Sequence, residues 1–552
     1  ASVRSAVLSN SRGTAWLYLR PGAPAPHTGF PVPTPMQFDP ATGVLSFPPV
    51  RNEAGSPLTL RLTFDDGSEA VARFDGAFAD LGRLAVDSRE GASLLRVSTA
   101  DELLAAIDAG SPLIHMAAGV YSIPRPIDVR HPLRLTADPG ATLEFVLSAA
   151  PGSPWSQASG AIQVRSSHVA LDGFAIRFRG TTADWNTWSR NVIQAGLGTR
   201  DAGLSFTNLN LTAPPPAPAA PGVYEQAVAL MNFEDGDTGR IADNVFKGGW
   251  IYLGAAPWTV VGNDYQGALP GTISPTFLNA HRSFDLTIQN NRARGLAPAG
   301  ISQRFLVLGN SDTGQGIGNL IEGNRIEGGI GTPAEDVPPG YDNNPEIILT
   351  ETYQPRFEGK PSSISPDGYV VQLPHLRGPL ARTGDVVSIL DGPHAGEWRM
   401  IVQALGPLRY LLDAPLPAGD YAIAVGRGYV DQVYRGNTID LRGMSANNVA
   451  VVISGNHWGQ VIQDNTFLGG AALRIEAGSN EGAFESRYPA PWGWSRLPVF
   501  GLSITGNTFT DASVSLFVAH NDWASKASAG RTFMTADFSS NTFAWTRTDR
   551  PA

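Results

Sequence analysis

The chain has 552 residues, with Gly (61) and Pro (43) making up about 19 % and charged residues only 16 %, a balance that suits a turn-rich β protein and argues against disorder or long helices. Lys+Arg is 40 against Asp+Glu 50, net −10, with lysine confined to Lys247, Lys360 and Lys526 and no basic stripe of the kind a nucleic-acid binder shows. No apolar run approaches the roughly 18 residues of a membrane span, and the absence of cysteine removes disulfides, thiolate metal sites and cysteine nucleophiles.

Residues 1–88 alternate apolar and polar between turn signals ("GTAWLYLRPG", "LTLRLTFDDG"), which predicts a small N-terminal β-sandwich. The chain opens at Ala1 without a signal-like apolar stretch, and a mature, exported form (secreted or periplasmic) is the expectation. In "VSTADELLAAIDAG", Thr99 and Asp101 can cap a short helix over about 100–109 with Leu103, Leu104 and Ile107 on one face.

From there the dominant signal is an internal repeat, a turn, Asn, one residue, then an apolar residue. It recurs at Asn244, Asn263, Asn291, Asn324, Asn437, Asn465, Asn507 and Asn541, mostly after an alternating strand such as "LTIQNN" or "LSITGN". Asn tolerates the left-handed conformation, and Asn residues stacked in successive coils can bond to one another as a ladder. A single coil cannot bury its apolar face, so stacking must supply the core. The pattern covers about residues 92–545 and resembles the right-handed parallel β-helix of pectate lyase-like and polygalacturonase-like carbohydrate-active enzymes. "TADELLAAIDAG…GVYSI" looks like their helical cap and first coil. The predicted fold is therefore all-β: a β-helix over 89–353 and 430–552, with a small β-domain inserted at 354–429, where the Asn corner is lost.

A second set of strands can be overlaid by their last apolar residue: "AVALMNFE", "WIYLGAAP", "TFLNAHR", "FLVLGNSD", "EIILTETY", "AVVISGNH", "LRIEAGS" and "SLFVAHN". In a parallel β-helix successive strands lie about 4.8 Å apart, so residues at one position form a column. The column just past the apolar run gathers Asn232, Glu234, Asp235, His281, Arg282, Asn310, Asp312, Glu351, Tyr353, Asn456 and His457. Paired carboxylates suit glycoside hydrolysis, one as acid and one as nucleophile or base; Asp312, Glu351, Glu234 and Asp235 are the catalytic candidates. His281, Arg282, Asn310, Tyr353, His457 and, in the loop "PAPWGWSRLP", Trp494 are candidate substrate ligands, and Trp250, Trp258 and Trp458 offer further stacking faces.

The alternative chemistry is β-elimination by a polysaccharide lyase, with His281, Arg282, Asn310, Tyr353 and His457 neutralising a uronate and supplying the base. Chondroitinase B-like and alginate lyase-like β-helices carry an Arg-His pair where this chain has His281-Arg282 in reversed order. Where they place a lysine it has Glu234-Asp235, a departure that weakens the lyase reading. A non-catalytic carbohydrate-binding solenoid is the third reading. No cofactor and no metal site are assigned, although "NFEDGDTG", with Asp237, has the make-up of an acidic turn or a weak Ca²⁺ loop. The expected partner is a carbohydrate polymer or oligosaccharide.

Overall fold

The computed structural model describes residues 3–10, 15–19, 34–35, 37–39, 44–46, 58–64, 69–74 and 83–85. From 94 to 546 it describes all except 186–189, 197–200, 202, 218–224, 227, 255–256, 268–271, 274–275, 281, 295–303, 310–314, 328–345, 353, 377–379, 443–447, 479–497 and 520–530. The chain divides into two compact units: Ala1–Ser274 with Phe284–Arg292, and Pro275–Ser283 with Ala293–Ala552.

In the first unit the N-terminal residues form a five-stranded sheet around Val3–Asn10 and Leu58–Phe64 and a three-stranded sheet of Gln37–Asp39, Val44–Ser46 and Arg83–Ala85. The helix Ala100–Asp108 follows, started by a capping box. The Glu102 amide donates to Thr99 Oγ1 (3.2 Å), while Glu102 Oε2 accepts from the Thr99 amide (3.2 Å) and from the Ser98 amide (2.7 Å). Leu103, Leu104 and Ile107 are buried, as their spacing predicts, with Ala106 beside them.

The chain then winds as a parallel β-helix. Each coil places a strand on a first face (Leu113–Met116, Leu133–Ala137, Val169–Asp172, Leu204–Thr207, Gly239–Ala242, Trp258–Val261). A strand on a second face follows (Val120–Ile123, Thr142–Val146, Ala175–Arg179, Asn210–Thr212, Val245–Lys247), then one on a third (Ile127–Val129, Gly160–Val164, Asn191–Gln194, Ala229–Asn232, Trp250–Tyr252). Among the described residues the pairings between coils are parallel.

The Asn corners join first to second face and build the expected ladder. The amide and Nδ2 of Asn244 donate to Asn263 Oδ1 (3.0 and 2.9 Å), and those of Asn263 to Asn291 Oδ1 (3.0 and 2.8 Å). The left-handed residue is not the ladder Asn but the one before it: Asp243, Gly262 and Asn290 here, and Gly323, Gly436, Asp464, Gly506 and Ser540 in the second unit. The ladder Asn is left free to turn its side chain inward, where Asn244, Asn263 and Asn291 are 1 % exposed. Gly262 is required twice over: its φ is +68°, and a Cβ there would stand 2.4 Å from the Asp243 carboxylate.

The second unit repeats the three-faced coil, with its own ladder from Asn324 through Asn437, Asn465 and Asn507 to Asn541. Its coil is interrupted after the third-face strand Glu346–Thr352. Residues 354–427 form an antiparallel sheet of seven strands, bounded by Gln354–Gly359 and Ile423–Arg427, with its own core of Val371, Val387, Ile389, Ile401, Tyr410 and Ile423. The chain resumes in register: Leu320–Glu322 pairs with Val433–Arg435, and Glu346–Thr352 with Val449–Gly455. The inserted sheet is anchored by Arg531 Nη1 on Glu358 (3.0 Å), by Trp458 Nε1 donating to Ser388 Oγ (2.7 Å) and by the Thr532 amide donating to Leu390 O (2.6 Å). Inside it Asp385, fully buried, is shared by Arg427 (3.0 Å) and Arg356 (3.8 Å). Among the described residues no helix is long and apolar enough to cross a membrane.

Candidate functional site

On the third face of the first unit, register aligns Gln163, Gln194, Asn232 and Tyr252 in one column across four consecutive strands. Alternation along each strand turns these side chains away from the coil interior, and they bond laterally. Arg165 Nη2 donates to Gln163 Oε1 (2.9 Å) and Arg165 Nε to Asp128 Oδ1 (3.0 Å). Asn191 Nδ2 donates to Gln194 Oε1 (2.9 Å), and Asn232 Nδ2 to Asn191 Oδ1 (3.2 Å). At the end of the column the Tyr252 ring meets half-buried Trp250 edge to face, centroids 6.4 Å apart. Gln163, Gln194 and Asn191 are buried and fix the row from within, which leaves half-buried Arg165, Asn232, Tyr252 and Trp250 as the groups that can meet a hydroxyl-rich, C–H-faced ligand.

The column runs into the corner that leads from third to first face. Phe233, fully buried against Trp258 (centroids 4.2 Å), pins the strand end, and the next two residues, Glu234 and Asp235, are exposed. Beneath them Asp237 is completely buried. Its Oδ2 accepts from the Glu234 amide (2.8 Å) and its Oδ1 from the Asp201 amide (2.8 Å). Burial pushes the Asp237 carboxyl up to about 7; the charges of Asp201 and Glu234 act in the same direction and the two backbone donors against it. Two glycines from neighbouring coils allow this closeness. A Cβ at Gly196 would come within 2.5 Å of Asp237 Oδ2, and one at Gly254 within 2.0 Å of Glu234 O. Asp237 touches no solvent, so it positions the corner that displays Glu234 and Asp235. Among the described residues no group of three His, Asp or Glu side chains is arranged to hold a metal.

The remaining sequence candidates fall in the second unit. His281, Asn310, Asp312, Tyr353 and Trp494 lie outside the described residues, as do the side chains of Arg282 and Glu351. The backbone register nonetheless puts Glu351 opposite Ser454 and Ser454 opposite Glu476, with Ser454 Oγ donating to Glu476 Oε2 (3.1 Å). Glu476 is a carboxylate that the sequence column passed over, although "LRIEAGS" was among the overlaid strands; counting two residues back from the strand end would have found it. Glu346, at the start of its strand, is not free for chemistry. Burial alone would raise it, but Arg304 (2.8 Å) and Arg474 (2.8 Å) clamp it and hold its carboxyl below the usual range.

His457 departs from expectation. Gly455, at φ +88°, turns the chain before it, so His457 opens the first-face strand His457–Trp458 and faces inward, fully buried and stacked on Tyr429 (centroids 5.3 Å, 22°). It is not a surface ligand for a substrate. Asn456 is fully buried for the same reason, and Trp258 and Trp458 are core residues rather than stacking platforms.

No protein-family model matches this chain, and no curated protein matches it. Similarity does appear among solved structures. PfbA, a surface adhesin of Streptococcus pneumoniae, is 10 % identical with TM-score 0.38, covering 80 % of this chain and 87 % of that one. The catalytic domain of a GH87 alpha-1,3-glucanase in complex with nigerose is 10 % identical with TM-score 0.33, covering 88 % and 75 %. DFA-IIIase from Arthrobacter chlorophenolicus A6 is 11 % identical with TM-score 0.33, covering 82 % and 95 %.

The interior position of His457 has a measurable consequence. Burial drives its pKa down to about 3, against 6.5 for an ordinary histidine; Nδ1 bonds Gly455 O (3.3 Å), and Nε2 has no partner. The unfolded chain takes up a proton below pH 6.5 that the folded chain refuses, so this residue's stability contribution is complete above pH 6.5 and is lost as pH falls toward 3. By pH 5 the loss amounts to about 2 kcal/mol. His457→Phe keeps the ring stack and cannot titrate. Unfolding free energies measured at pH 7.5 and pH 5 should differ by about 2 kcal/mol less in the variant than in the parent; equal differences would place His457 in contact with water.

Proposed function

We propose that the protein is an exported carbohydrate-active enzyme that hydrolyses glycosidic bonds, with Glu234 and Asp235 as its reacting carboxylates. One carboxyl group donates its proton to the glycosidic oxygen as the C–O bond breaks. The other, as nucleophile or as base toward water, completes the addition of one water per bond cleaved. The observation that carries this reading is the corner itself: two exposed carboxylates, the backbone of the first held by the buried Asp237, beside half-buried Asn232, Tyr252 and Trp250. The net charge of −10 favours a neutral glycan over a polyanion.

A panel of neutral and uronate-containing polysaccharides, assayed in parallel for new reducing ends and for ultraviolet absorbance of unsaturated products, tests the reading. Reducing ends without absorbance support hydrolysis. Both signals together would instead establish β-elimination and direct attention to His281, Arg282 and Tyr353. Binding without turnover would make the chain a carbohydrate-binding solenoid.

A further inference from the structure

The inserted sheet carries a cleft of about 450 Å³ between the segments Lys360–Gly368 and Leu416–Tyr421. That volume lies at the lower end of the range for small-ligand sites and has room for a disaccharide-sized segment. The cleft is pre-formed. The Leu416 amide donates to Gly368 O (2.9 Å), the Gly368 amide to Ser365 O (2.8 Å), and the Val370 amide to Ser365 Oγ (2.8 Å). Beneath its floor Tyr421, 3 % exposed, donates its hydroxyl to Pro417 O (2.6 Å). Gly368 is the hinge of this closeness: its φ is +78°, and a Cβ would stand 2.5 Å from Leu416 O.

The lining is chemically mixed. Rings of Pro361, Pro366 and Pro417 supply apolar C–H surface, while Ser363, Asp367 and the Lys360–Asp420 pair (2.6 Å) supply polar groups. Asp367 Oδ1 accepts from Ser365 Oγ (2.5 Å) and from the Tyr369 amide (3.2 Å), which keep the carboxyl ionised and oriented and leave its other oxygen for a ligand hydroxyl. Two carboxylates against one ammonium give the mouth a net negative charge, which repels polyuronates and leaves neutral hydroxyls as ligands.

We propose that this cleft is a second, non-catalytic binding site for a neutral oligosaccharide segment, a proposal that takes its ligand class from the carbohydrate reading above but not its chemistry. Such a site would retain the enzyme on a polymer while cleavage occurs elsewhere, raising effective concentration without adding to the chemical step.

The test is native-gel retardation of the full chain in gels containing neutral α- or β-glucans, and in parallel gels containing polyuronates. The chains compared are the parent, Glu234→Gln, Ser363→Trp and Asp420→Ala. Ser363 is exposed, so the indole fills the cleft without entering the core, and Asp420→Ala removes only a surface partner. Parent and Glu234→Gln should be retarded equally by at least one neutral glucan, with Ser363→Trp losing at least 5-fold in affinity and Asp420→Ala a smaller factor, at unchanged melting temperature. Turnover of short soluble substrates by Ser363→Trp should equal that of the parent. Retardation of Ser363→Trp equal to that of the parent would overturn the proposal, as would retardation only by polyuronates. If no glycan is cleaved but retardation still depends on Ser363, the hydrolase reading fails and the binding site stands.

Discussion

Asn465→Ala should cost the second unit about 4 kcal/mol, roughly four times the cost of Asn541→Ala, although both remove the same side chain from equivalent corners. Asn465 is 2 % exposed; its Oδ1 accepts from the amide and Nδ2 of Asn437 (both 2.9 Å), and its Nδ2 donates to Asn507 Oδ1 (2.9 Å) and Tyr434 O (2.8 Å). Alanine leaves two donors and a carbonyl stranded where water does not reach, each worth about 1–3 kcal/mol. Asn541 makes comparable bonds, to Asn507 (2.9 and 3.0 Å) and Ile504 O (2.7 Å), but it is half-exposed and water can replace what is lost. Urea unfolding of the two variants decides it; equal costs would mean that stacking, not the ladder, holds these corners.

Glu234→Gln and Asp235→Asn should each lower kcat on the neutral glycan found by the substrate panel by about 10²–10⁴, the usual worth of a positioned acid or base, with KM changed little. Asp237→Asn should cost less, about 10-fold, because Asp237 acts through the Glu234 amide it holds (2.8 Å). Its distinguishing mark is the pH profile: any inflection near 7 in the parent's kcat should vanish in Asp237→Asn, which a purely structural loss would leave in place. Should Glu351→Gln abolish turnover while Glu234→Gln and Asp235→Asn leave it intact, the reacting carboxylates lie in the second unit, on the register row of Glu351 and Glu476.

The coil was legible in the sequence because one residue type recurs at one structural position. Every Asn picked out by its spacing, from Asn244 to Asn541, sits in the ladder. The overlaid second strands likewise are the third face. Less could be read of the site. Counting past a strand end assumes that the chain is still on the same face, and at Gly455 it has already turned, which carries Asn456 and His457 into the interior. Asp237 is covered by Gly196, 41 residues away in sequence, so the local string "NFEDGDTG" could show an acidic turn but not which of its acids is covered.

The ladder also has a direction. In the second unit each Asn offers two donors to the oxygen of the next, from Asn324 to Asn437, Asn465, Asn507 and Asn541, without reversal. Its amide dipoles are therefore parallel and polarise one another along the stack. That polarity works as a grammar for how the solenoid can change. An extra coil spliced inside this run keeps the chain of dipoles unbroken only if it brings an Asn to this corner; a residue such as Leu209, which stands at the same corner in the first unit, can offer Asn244 its backbone amide alone. The corner from third to first face carries no such rule. It is there that residues 354–427 leave and rejoin the coil of the second unit and that the first unit displays Glu234 and Asp235. New loops and new chemistry can accumulate on one edge while the opposite edge keeps the coils in step.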